Sequence, residues 1–211
     1  ARHTRSLSGN HDYDGSDLLA VIEAAPAEVG LVTLAPELAG GLDLVRRLTT
    51  NGQRVSVGHS GASFDEGLAA VAAGARHATH LFNRMPPLTH REPGLAGAIL
   101  RSGEVTAEVI CDSYHVHPAM VGMTVATKSP SRVIAITDGT AGSGLSVGSR
   151  ARLGGRPITV RDSGAYLDEG TLAGSVLTMD GALRVLVERV GLTLTDAAVL
   201  CATTPARELG L

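Results

Sequence analysis

Short apolar runs alternate along this chain with longer stretches whose apolar positions recur at helical spacing. The runs are Val29–Leu34, Arg54–Gly58, Arg76–Thr79, Val105–Cys111 and Arg132–Thr137. Helix-like stretches precede the second, third and fifth of them, at Gly41–Thr49, Phe64–Ala73 and Pro118–Lys128. Strand alternating with helix predicts an α/β fold built on a parallel sheet. The runs are almost continuously apolar, as strands covered on both faces are. Each then gives way to a polar or ionisable residue: Glu37, His59, His80, Asp112 with His115, and Asp138. A barrel with its chemistry at the carboxyl ends of its strands has this pattern, and a purely structural sheet has no reason to repeat it.

The texture changes near Ala141. Ser143–Gly174 is rich in glycine, and its short runs Arg156–Val160 and Ala165–Leu167 predict a hairpin insertion. Helical patterning returns at Thr178–Val190 and Thr195–Cys201, with the Thr193 or Thr195 hydroxyl as N-cap of the second helix. The opening Ala1–Asp17 is polar, carries His3 and His11, and reads as a loop. A complete eight-stranded barrel takes about 250 residues. With 211 residues and five strands, the expectation is one domain that is either an incomplete barrel or an open sheet.

Composition excludes several classes of function. Hydrophobic residues at 44% and charged ones at 18% belong to a globular chain, not a disordered one. No apolar run approaches the roughly 20 residues of a membrane span, and the polar start does not resemble a signal peptide, so a soluble cytoplasmic protein without a membrane partner is expected. A net charge of −3 argues against a nucleic-acid surface, although 17 arginines stand beside the single Lys128. Cys111 and Cys201 are too few for a disulfide framework and are not spaced as a metal knuckle.

His59 and His80 lie 21 residues apart, about the length of one strand-helix-strand unit, each at the end of a run. Neighbouring strands are about 5 Å apart, so two such imidazoles can reach one ion. His77 lies in the same run as His80 at odd spacing, faces the other side, and reads as structural. Asp138, followed by Gly139, is either a turn residue or a carboxylate that moves a proton beside a metal-activated water. From His80 to Gly94 the chain packs Asn83, Arg84, Arg91 and three prolines into one loop, and an arginine in a stiff loop is one way of gripping phosphate or carboxylate.

That loop, with Gly58-His59-Ser60, Asp112-Ser113-Tyr114-His115-Val116, Ile136-Thr137-Asp138 and Leu172-Ala173-Gly174-Ser175-Val176-Leu177-Thr178-Met179, resembles the N-acetylglucosamine-6-phosphate deacetylase family of the amidohydrolase superfamily. The motifs occur in the family's order, from Leu31-Val32-Thr33-Leu34-Ala35-Pro36-Glu37 to Ala202-Thr203-Thr204-Pro205-Ala206. The resemblance implies a (β/α)8 barrel, here reduced to five or six βα units plus the hairpin insertion. It implies hydrolysis of the acetamide of N-acetylglucosamine 6-phosphate with a divalent metal: zinc, or else iron, manganese or cobalt. It makes His59 and His80 metal ligands and Asp138 the catalytic carboxylate. Asn83, Arg84 through its backbone, Arg91, His115 and the Leu172-Ala173-Gly174 loop fall at substrate positions, and His11 in Gly9-Asn10-His11-Asp12 does so more weakly. It further implies a homodimer in which Arg91 serves the neighbouring subunit's site.

Three residues depart from the family pattern: Ser113 where it has glycine, Arg84 where it has a small residue, and Tyr13 where a proline usually follows. The family's third metal ligand, a glutamate, together with the first barrel strands and a small β-sandwich, would fall before Ala1, so the chain reads as an interior piece of a longer enzyme. The competing expectations are another amidohydrolase acting on a different N-acyl sugar or cyclic amide, and a catalytically incomplete domain that only binds ligand. Two histidines without a third protein ligand make a poorer site than catalytic zinc usually has.

Overall fold

Five apolar runs become five strands: β1 (Leu31–Leu34), β2 (Arg54–Val57), β3 (His77–Ala78), β4 (Thr106–Ile110) and β5 (Val133–Ile136), in one sheet with the order β1-β2-β3-β4-β5. The computed structural model describes residues 15–24 and 28–211. Leu31 lies opposite Arg54, Ser56 opposite His77 and His77 opposite Thr106, all in parallel register. β1 forms an edge, and its side chains alternate between exposed and half-buried; β4 has four of its five residues buried.

The helices are α1 (Gly15–Ala24), α2 (Gly41–Thr50), α3 (Phe64–Ala73), α4 (Gly94–Arg101) and α5 (Pro118–Lys128). α2 buries Val45 and Leu48, one turn apart, as an amphipathic helix on a sheet must. α3 starts at a capping box: Ser63 accepts from the Glu66 amide while the Glu66 carboxylate accepts from the Ser63 amide. At Gly67 a Cβ would lie 2.7 Å from the Ala98 Cβ, so glycine is what lets α3 approach α4. α4 was not anticipated from the sequence, and α1 begins at Gly15, inside the stretch read as a loop.

Beyond β5 the predicted hairpin is a four-stranded antiparallel sheet: β6 (Arg150–Leu153), β7 (Arg156–Arg161), β8 (Gly164–Leu167) and β9 (Leu172–Gly174). It has a small core of its own, Ile158, Ala165 and Leu167, flanked by Ala151, Leu153, Ala173 and Val176. The chain ends in α6 (Met179–Val185), α7 (Leu194–Ala198) and α8 (Thr204–Leu209), with π-helical segments at Leu186–Val190 and Val199–Thr203. Thr193 is the N-cap of α7, accepting from the Asp196 amide at 3.0 Å. By packing, the described residues up to Ala107 form one compact unit and Glu108–Leu211 a second.

Candidate active site

Each strand from β2 to β5 places an ionisable residue two positions past its last residue: His59 after Val57, His80 after Ala78, Asp112 after Ile110 and Asp138 after Ile136. Three of the four sit on left-handed backbone, with φ of +49° at His59, +30° at His80 and +48° at Asp138. Phe82, Arg84 and Ser113 share that conformation, at +77°, +54° and +69°. Residues with a Cβ pay roughly 1–2 kcal/mol to adopt it, and such strain collects where a side chain must be aimed.

In the first unit the structure brings the two histidines together. Their ring centres are 4.6 Å apart and the rings are tilted by 57°. Ring nitrogens bound to one tetrahedral zinc ion at about 2.0–2.1 Å put the ring centres roughly 5 Å apart, so the pair lies within a few tenths of an ångström of the spacing a shared ion needs. His80 is buried, and its Nδ1 has no hydrogen-bond partner among the described residues, as a nitrogen awaiting a ligand would not. Among the described residues no group of three His, Cys, Asp or Glu side chains is placed to hold an ion.

The turn after His59 is tied down by Glu37, just beyond β1. Its carboxylate accepts from the Ser60 hydroxyl at 2.7 Å and the Gly61 amide at 2.6 Å. Ser60 in turn donates its amide to the Arg84 carbonyl at 3.1 Å, which joins the two histidine loops. Asn83 donates its amide to the His80 carbonyl at 2.9 Å, and the fully buried Leu81 anchors the loop between them. Arg84 and Arg91 are exposed and form no ion pair among the described residues. His77 is buried within β3, as its structural reading requires.

In the second unit His115 is oriented by Asp112. Asp112 Oδ2 lies 2.5 Å from His115 Nδ1, and Oδ1 accepts the amides of Tyr114 and His115 at 2.8 Å each. Burial pushes the Asp112 carboxyl upward, but the hydrogen bonds from His115 and the two amides outweigh it and hold the group below the usual carboxylate range. A charged Asp112 can only accept, so it fixes Nδ1 as the donor and leaves Nε2 free of this bond. Asp138 is exposed, and its carbonyl accepts from the Ser175 amide at 3.2 Å, while Thr140 donates back to the Ser175 carbonyl at 3.0 Å. These bonds tie Asp138 to Ser175, the residue that follows Leu172–Gly174, and that segment is strand β9 and not a free loop. A cavity of about 250 Å³ lies beside this segment, lined by Asp112, Tyr114, Ser163, Ser175 and Leu177 among others. His11 falls outside the described residues. The sequence reading missed Glu37 and Ser60 as a pair because 23 residues separate them; the Asp112-x-x-His115 spacing was the available signal for the other pair.

No protein-family model matches the chain. A curated N-acetylglucosamine-6-phosphate deacetylase of Lysinibacillus sphaericus is 39% identical over 180 residues, 85% of this chain and 46% of that protein. The chain is a relative of the N-acetylglucosamine-6-phosphate deacetylases. An N-acetylgalactosamine-6-phosphate deacetylase of Escherichia coli O157:H7 is 36% identical over 93% of the chain and 52% of its own length. Among solved structures, a mutant N-acetyl-D-glucosamine-6-phosphate deacetylase of Mycobacterium smegmatis, in complex with N-acetyl-D-glucosamine-6-phosphate, superposes with a TM-score of 0.86 at 39% identity, over 95% of this chain and 54% of that one. The chain thus spans about half the length of the deacetylases it matches. Its five-stranded sheet is a partial amidohydrolase barrel.

Proposed function

We propose that the protein hydrolyses the acetamide of N-acetylglucosamine 6-phosphate to glucosamine 6-phosphate and acetate, and that this chain is one part of its barrel domain. The observation that carries the reading is the His59–His80 pair, 4.6 Å apart on left-handed turns, in a chain so similar to these deacetylases. His59 and His80 would hold a divalent metal, with zinc favoured by the nitrogen donors; when bound, it polarises the amide carbonyl and makes water more acidic. Asp138 takes a proton from the water that adds to the carbonyl carbon. It returns that proton to the nitrogen as the C–N bond breaks, so the amine leaves neutral and the acyl group leaves as acetic acid, which gives up its remaining proton to water as acetate. His115, held by Asp112, presents Nε2 toward substrate, Asn83, the Arg84 backbone and Arg91 serve the phosphate end, and the Leu172–Gly174 segment covers the substrate. A cytoplasmic homodimer sharing Arg91 between sites completes the proposal.

A second reading, the 4-epimer N-acetylgalactosamine 6-phosphate as substrate, rests on the relative that bears that name. A panel of both sugars, with and without the 6-phosphate, assayed for acetate release, tests both readings. The expected result is turnover of the phosphorylated glucosamine derivative and a drop of at least about 100-fold in Asp138→Asn with its fold retained. Substantial turnover by that variant, or indifference to the phosphate, would overturn the assignment.

A further inference from the structure

The two histidine-bearing turns also meet at Thr79. Thr79, immediately before His80, donates its amide to the Val57 carbonyl at 3.0 Å. Its hydroxyl lies 2.6 Å from Ser56 Oγ and 2.9 Å from Thr33 Oγ1, so one side chain links β1, β2 and the end of β3. Gly58, immediately before His59, packs against the same residue: a Cβ there would lie 2.8 Å from the Thr79 Cβ and 3.2 Å from its carbonyl oxygen. Each histidine is therefore one residue away from the contact at which the two strand ends meet.

We infer that Thr79 is a positioning residue that sets the separation of the His59 and His80 imidazoles, through its hydroxyl contacts with Ser56 and Thr33 and its packing on Gly58. The metal consequence rests on the reading of these histidines as ligands; the spacing itself does not. Hydroxyl oxygens approach to 2.6–2.9 Å only because a hydrogen lies between them. A methyl group in the same place needs about half an ångström more, in a packed site that transmits the displacement along the strand end. Serine keeps the hydroxyl and loses only the methyl.

The test uses the full chain as Thr79→Val and Thr79→Ser, with thermal unfolding to establish that each is folded. Crystal structures read the ring separation, and chelator competition reads zinc affinity. In the valine variant the ring centres are expected to move from 4.6 Å by several tenths of an ångström, and zinc to bind about 10–100-fold more weakly, as when groups that orient metal ligands are lost. The serine variant is expected to restore both. An unchanged ring separation in Thr79→Val, or a serine variant as displaced as the valine one, overturns the inference. Zinc that fails to bind the unmodified chain, while the valine rings still shift, supports the positioning role and counts against the metal reading.

Discussion

The ends of the parallel strands and the antiparallel sheet β6–β9 solve the same local problem with different residues. Both need left-handed backbone. Among the described residues from Ser143 to Gly174, every positive φ belongs to a glycine, at Gly144, Gly148, Gly154, Gly155, Gly164, Gly170 and Gly174. Past β2, β3, β4 and β5 the same conformation is held by His59, His80, Phe82, Arg84, Ser113 and Asp138. Ser129, at the end of α5, is the only other non-glycine instance among the described residues. Where the chain has only to turn, it uses the residue without a Cβ. Where a side chain has to be presented, it accepts strain of about 1 kcal/mol per position.

The largest effect on that contrast is expected from Gly174→Ala. Its φ is +152°, and a Cβ would lie 2.7 Å from Thr140 Cγ2, so both backbone and packing resist it. A loss of about 2–4 kcal/mol in denaturant unfolding is expected. Gly155→Ala has a positive φ but open space around it, so only the backbone cost of about 1 kcal/mol should appear. Equal losses at the two positions would show that packing around β9 contributes nothing. In the opposite sense, Asp138→Gly should raise stability by about 0.5–1 kcal/mol while abolishing acetate release; a destabilised variant would mean that Asp138 is held by structure and not retained for chemistry. The smallest effect is one of pH. The Asp112 carboxyl is held below its ordinary range, so its stabilising contribution is complete above about pH 4 and drains away as pH falls through the depressed value. Asp112→Asn should flatten that acid limb and leave stability near neutral pH lower but independent of this titration. An acid limb identical in both proteins would remove Asp112 as its source.

The sequence reading succeeded where a pattern is local. β2, α3 and α5 appear almost where apolar periodicity puts them, and the His59–His80 spacing found two side chains that the fold brings side by side. It failed where the determinant is distant or the pattern is interrupted. α4 starts at Gly94 behind Pro93 and carries Gly97 within it, three residues that mask a helix on propensity alone. β6 and β9 lie in glycine-rich sequence and are recruited by pairing with β7 and β8. The contacts at the histidine turns, Glu37 on Ser60 and Thr79 on Thr33 and Ser56, join positions 23 to 46 residues apart, and no spacing within one element announces them.

The left-handed torsions also make the site observable without its chemistry. Backbone carbon chemical shifts depend on φ and ψ, so His59, His80, Arg84, Ser113 and Asp138 should stand apart from the shifts usual for their residue types. A carbon-13 spectrum of the isotopically labelled chain would therefore act as a gauge of whether the turns are set, readable with no substrate, metal or assay, and residue by residue as each variant is made.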